Sequence, residues 1–428
     1  MRHMQSPGIP EIEAALERVL KSPSFQSAGR LRRFLQYIVS KTLAGREDEI
    51  KEYSIGVDVY CRGPGFDPKL DCIVRVDAIT LRRRLAHYYR NEGVDDTLVI
   101  SIPRGRYVPK VEVRSASMPV FDMEVDEACW RARSLLSTPT PMTVRLAQQQ
   151  FASIIRNYPS SGIAYAGFAE AVLAALGIQE LAPVEGNGLV TTAALRALEL
   201  DNDRVDVQIY SAVPGICDPS DRGTKSALRR ILQIDPGHAV AHHWAAGFCS
   251  SNGYHEEAVT HMKKAIHAQP SSCFFRTWMA GALFYAGKLE DARRYILEAV
   301  ELAPDNFLAR FWVAQILTEQ AVYPEALKEA TMAVNLCSAT SLALWGLGWV
   351  QARAGLRDEA ESTLERLKEQ AAIQYVPHSG LAGILSGLGR LPEAWDELVK
   401  AKQARESIMG WSRFDPRWEP LRRVMPCL

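Results

Sequence analysis

No stretch of this chain approaches the roughly 18 consecutive apolar residues that a membrane-spanning helix requires, which excludes a helical integral membrane protein. Net charge is also missing. The 50 Lys and Arg balance the 50 Asp and Glu, so nothing pulls the whole chain toward nucleic acid or an anionic bilayer. Cysteine is sparse and scattered: Cys61, Cys72, Cys129, Cys217, Cys249, Cys273, Cys337 and Cys427 contain no CxxC pair. That pattern argues against a disulfide frame or a zinc site, and for reduced thiols in the cytoplasm. The N-terminal residues lack the apolar core of a secretory signal, in keeping with the same expectation. No GxxxxGK[ST] loop, GxSxG elbow or dinucleotide fingerprint occurs, and Arg62-Gly63-Pro64-Gly65 reads as a turn. Neither enzymatic chemistry nor a cofactor or metal is expected.

The remainder has ordinary globular proportions, 47% apolar and 23% charged over 428 residues, enough for about two to four domains. Its organisation lies in a repeat. Gly253, Gly287, Gly355 and Gly389 fall on a 34-residue grid whose remaining slot holds Ala321. Ala258, Ala292, Ala326, Ala360 and Ala394 keep that period, as do Pro236, Pro270 and Pro304, and Trp244, Trp278 and Trp312. Within each period two amphipathic stretches flank the glycine, which permits the turn, while proline stops the second helix. Small residues at these points resemble the tetratricopeptide repeat, in which paired helices stack into a superhelix. The resemblance is strong over 239–406 and divergent over 126–238, where 160–202 reads as a lengthened unit. Residues 407–428 have no period and read as a cap on the open end of the last repeat.

Residues 1–114 follow another pattern. Through residue 115 they hold 20 Lys and Arg against 15 Asp and Glu, a basic head on an acidic body. Helices are expected over 10–22, 28–44, 49–60 and 71–93, then two strand-like runs separated by Arg104-Gly105, with a linker at 115–125. This order resembles a bacterial winged helix-turn-helix of the OmpR/PhoB type, here without the N-terminal sheet or the receiver domain of that family. On helix 71–93, Val74, Ala78, Leu81, Leu85 and Tyr88 share a packing face, and arginines lie opposite. The resemblance implies that Arg75, Ile79, Arg82, Arg83 and Arg90 face a DNA groove and that Arg104, Arg106 and Lys110 hold phosphate.

Two further features bear on the array. Six of the nine histidines fall in 238–267, with His238 and His242 four apart, a metal-compatible spacing without HExxH or a neighbouring cysteine; a surface cluster is expected. The Trp244/Trp278/Trp312 ladder reads as core. In tetratricopeptide arrays the inner face corresponds to His243, Phe274, Thr277, Phe311, Gln315, Trp345 and Trp349, which would line a peptide groove. The expectation is a mainly α protein, a winged-helix head before an all-α solenoid. Its function would be a transcription regulator binding duplex DNA through the head and a protein, a peptide or a second copy through the array. The alternative is a scaffold whose head docks on protein.

Overall fold

The computed structural model describes residues 7–26, 28–63, 66–67, 73–103, 106–113, 121–202, 204–213 and 222–424, apart from the side chains at 76, 79, 83, 86, 87, 90, 91, 121–124 and 222. The chain divides into two compact units, 1–124 and 125–428.

In the first unit, α1 (Ile9–Lys21), α2 (Pro23–Gln26), α3 (Gly29–Leu43), α4 (Glu52–Asp58) and α5 (Ile73–Asn91) precede strands β1 (Leu98–Ser101) and β2 (Lys110–Val113). The strands pair antiparallel, Leu98 opposite Val113 and Ser101 opposite Lys110. The helices form because their apolar residues recur at 3.6-residue spacing. Leu31, Phe34, Leu35, Ile38 and Val39 of α3 are buried against Val74, Ala78, Leu81, Leu85 and Tyr88 of α5. Among the described side chains of α5, one buried residue is charged. The Asp77 carboxylate accepts hydrogen bonds from Arg30 (2.8 Å) and the Tyr60 hydroxyl (2.8 Å), which tie α3 and α4's exit to α5. The Arg104-Gly105 tip and the 115–120 part of the expected linker lie outside the described residues, and α6 (Phe121–Ser134) already starts inside that linker.

The second unit continues with α7 (Pro141–Asn157), α8 (Gly162–Gly177), α9 (Pro183–Leu200), α10 (Val205–Ala212), α11 (Arg222–Ile234), α12 (Ala239–Ser251) and α13 (His255–Ala268). Then come α14 (Cys273–Tyr285), α15 (Leu289–Leu302), α16 (Phe307–Glu319), α17 (Tyr323–Leu336), α18 (Ser341–Arg353), α19 (Arg357–Gln370), α20 (His378–Gly387) and α21 (Leu391–Gln403). From α12 onward these are five antiparallel hairpins at the 34-residue period. The grid alanines, Ala258 through Ala394, are fully buried where the helices of each hairpin meet. Upstream, the lengthened unit arises differently from an inserted loop: α9 runs 18 residues against 14 in α13, absorbing the Val-Glu-Gly-Asn-Gly stretch into helix. Only 178–182 remains as the turn.

The grid glycines explain themselves at the turns. Gly253, Gly287, Gly355 and Gly389 have φ between 72° and 82°, the left-handed region that costs a Cβ-bearing residue about 1–2 kcal/mol. Ala321 stands in the same turn at φ 59°. Replacing Ala321 by Gly should therefore stabilise the array by about 0.5–1 kcal/mol, because the relieved strain exceeds the added unfolded-state entropy. Urea unfolding checks this, and an unchanged or lowered midpoint would contradict it. Among the described residues no helix is long and apolar enough to cross a membrane.

Candidate functional site

The inner-face residues expected to line an open groove are packed instead. His243, Thr277, Phe311, Gln315, Trp345 and Trp349 are all buried, and only Phe274 keeps part of its surface. Part of this is ordinary repeat packing. The Trp345 ring stands edge-on to Phe311 at 5.0 Å, and a Cβ on Gly346 would lie 2.6 Å from that same phenyl ring. The rest comes from two segments distant in sequence.

The first is the aperiodic C-terminal stretch, comprising 3-10 turns at Ser407–Trp411 and Pro416–Trp418 and the short α22 (Glu419–Val424). Rather than only capping the last repeat, it crosses the ends of the first helices of the hairpins. Trp411 donates its indole N–H to Ser250 Oγ on α12 (2.9 Å) and stacks on Tyr285 of α14 at 5.6 Å. Phe414 meets the His255 ring edge-on at 4.7 Å and lies so close to the turn that a Cβ on Gly253 would come within 2.8 Å of it. The Arg417 guanidinium lies 5.0 Å from the Trp345 ring centre and 5.9 Å from that of Phe284, while Ser386 of α20 donates to its carbonyl at 3.5 Å.

Arg417 and its partner are almost wholly removed from solvent, at 2% and 0% exposure. Asp415 accepts from Arg417 Nε (2.8 Å), Nη2 (2.5 Å) and the backbone N–H (3.0 Å). Burial opposes the arginine's charge, and the carboxylate more than offsets it, raising the guanidinium's pKa. Arg422 Nη1 holds the segment's own turn by donating to the Ser412 and Asp415 carbonyls at 2.8 and 2.7 Å. Nη1 of Arg417 and Oε1 of nearby Glu319 are buried without a hydrogen-bond partner. Burial also raises the Glu319 pKa.

The second segment is the 178–182 turn. Gln179, itself at φ 58°, accepts from Trp345 Nε1 (2.8 Å) through its side chain and from Ser341 Oγ (3.4 Å) through its carbonyl. Trp345 is thus held between α8's exit turn and the C-terminal stretch. Sequence periodicity marked neither partner, since both lie in stretches that break the repeat.

The histidine cluster is only partly a surface feature: His242 and His243 are buried, His238, His255 and His261 half-buried, and His267 exposed. His243 is enclosed by Trp244, Phe274 and Trp278, with ring centres 4.8–5.2 Å away, and burial alone pushes its pKa down to about 3. His242 pairs with His261 rather than His238, Nδ1 to Nδ1 at 2.9 Å. Its Nε2 must donate to the Pro236 carbonyl at 3.0 Å, so its Nδ1 accepts from His261. His238 instead caps α12 by accepting from Ala241 N–H (3.3 Å) and meets Asp206 at 3.1 Å. His242 and His261 border a cavity of about 300 Å³ shared with Lys225, Arg229 and Lys264. Among the described residues no three His, Cys, Asp or Glu side chains converge as metal ligands.

In the first unit the described arginines of α5 are committed within the fold. Arg75 pairs with Glu52 at 2.8 Å. Arg82 donates to the carbonyls of Ile102 (2.9 Å), Pro103 (3.1 Å) and Arg106 (2.9 Å), clamping the strand connection onto α5. Lys110 pairs with Glu112 at 2.5 Å, and the Arg106 residue is exposed. The side chains of Ile79, Arg83 and Arg90, and all of Arg104, lie outside the described residues.

Residues 342–372, spanning α18 and α19, match the tetratricopeptide repeat family. No curated protein matches the chain. Among solved structures, yeast Tom70 is similar at 16% identity over 98% of this chain and 90% of its own, with a TM-score of 0.41. The human IFIT1 dimer with m7Gppp-AAAA gives 14%, 94%, 96% and 0.46 for the same quantities. The Pseudomonas aeruginosa pilF structure gives 17%, 50%, 93% and 0.37.

Proposed function

We propose that the chain is a protein-interaction scaffold whose tetratricopeptide array binds a partner protein. The observation that carries this reading is the array itself: five regular hairpins whose combined inner face already accommodates a non-repeat peptide segment, Trp411 to Trp418. Stacked hairpins bury their apolar sides against one another, so the surface left over is extended and suited to a chain segment, not to a small substrate. A photo-crosslinker placed at Phe274, the part-exposed member of the inner set, tests it in the full chain expressed in its source cells. Crosslinked protein is the expected product. No protein adduct, together with duplex binding that falls steeply with salt, would overturn the scaffold reading.

A second reading keeps the first unit as a winged-helix DNA binder in a regulator. The helix–helix–hairpin order and the excess of basic residues favour it. Against it, Arg75 and Arg82 are occupied by Glu52 and by backbone carbonyls. An alanine at Arg82 would loosen the hairpin whether or not DNA binds, so Arg106 is the cleaner probe. On this reading, fluorescence anisotropy of the full chain on mixed duplex shows a salt-steep affinity that Arg106→Ala weakens.

A further inference from the structure

The residues around Arg417 are built as a seat. Two aromatic faces, Phe284 and Trp345, flank its guanidinium, and the half-buried Glu319, with its Oε1 closed off from solvent, lies within Coulombic reach. Aromatic faces attract cations, and a carboxylate with one buried, unused oxygen favours a donor at the same place. Beyond this seat, the inner face offers Ser250 and Tyr285 to an indole and the Gly253 turn to a phenyl ring. The present occupant fits incompletely, since Arg417 Nη1 and Trp418 Nε1 are buried without acceptors. It is also short, and it is joined to α21 through Arg405, a single left-handed residue at φ 56°.

We propose that this inner face is a docking site for peptide segments that present an arginine bracketed by aromatic side chains, and that residues 407–424 occupy it in cis until such a segment displaces them. The array is therefore closed at rest. The partner's recognition element resembles the resident Trp411–Phe414–Arg417–Trp418 series, and its arginine takes the place between Phe284 and Trp345. This proposal rests on the scaffold reading.

The test uses a fluorescein-labelled peptide of residues 407–424 and the full chain, wild type or Arg417→Ala. The substitution leaves Asp415 buried without its partner, which weakens the resident segment and not the seat. The peptide is expected to bind the Arg417→Ala chain at least 10-fold more tightly than the wild type, and a peptide carrying Arg417→Ala should lose at least 10-fold. Equal affinity for both chains, or indifference to the peptide's arginine, overturns the proposal. Should the variant chain not fold, hydrogen exchange on the wild type decides. Amides of 407–424 that open well before those of α14, α16 and α18 support displacement, and amides that open only with the whole array refute it. A wild-type dimer that dissociates on Arg417→Ala would place the segment in a second copy, and also refutes it. Peptide uptake without a crosslinked protein at Phe274 upholds the seat while removing the partner, whereas crosslinking without uptake does the reverse.

Discussion

Lowering the pH from 7 to 4 should destabilise the α12–α13 hairpin, with His243 alone contributing on the order of 3 kcal/mol. The imidazole is neutral and buried in the fold, with its pKa pushed down to about 3, but it takes up a proton near pH 6.5 once unfolded. A depressed histidine pKa means that the unfolded state binds more protons between those values. Stability is thus fully present above about pH 6.5 and is lost progressively as pH falls toward about 3. His261 adds to the loss in the same window, its pKa lowered to about 4 by burial and then by His242 and Lys264, with Glu257 opposing. His242 is lowered too, chiefly by burial; the Pro236 carbonyl and Asp235 oppose, while Lys264 and His238 assist. Protonating His242 removes the acceptor of the His242–His261 pair, and protonating both sets two cations 2.9 Å apart. Urea titrations at pH 7 and pH 4.5 check this against His243→Leu. The variant should lose less stability on acidification, and an identical pH dependence would rule out His243 as a contributor.

Trp349→Ala should cost about 3–5 kcal/mol, the range for emptying a large buried aromatic site. Trp349 is 1% exposed, and its ring packs so closely on α20 that a Cβ on Gly387 would sit 3.3 Å away. The Arg353 guanidinium covers it at 5.2 Å from the ring centre. Its indole N–H has no acceptor, so Trp349→Phe discards no hydrogen bond and should retain most of the stability. Denaturant melts of both variants check the pair. A Trp349→Ala midpoint near wild type would return the residue to a surface role.

The repeat was legible because its markers answer local physical demands: four glycines at positive φ, five alanines at the tightest helix crossings. The α3 and α5 stripes were legible for the same reason, as periodicity reports burial directly. The inner face was not. Spacing places Phe311, Trp345 and Trp349 on one side of their helices, but whether that side meets water depends on Gln179 and on Trp411–Trp418, more than sixty residues away in chain order. No local pattern encodes such contacts. Charge counting alone did not show that on α5 Arg82 serves three carbonyls or that Asp77 anchors Arg30 and Tyr60 inside. The histidines misled because clustering along the chain says nothing about which helix face they occupy.

The two clasps on Trp345 also set an order of events for a chain emerging from synthesis. Hairpins α12 to α21 make mostly neighbour contacts and can stack as they appear. The inner face, however, completes only when residues 411–418 arrive, some seventy positions after Trp345 and well over two hundred after Gln179. Until then, its aromatic rings stay accessible to whatever binds nascent apolar surface. This aperiodic stretch thus ends an interval of exposure that the preceding repeats cannot close by themselves.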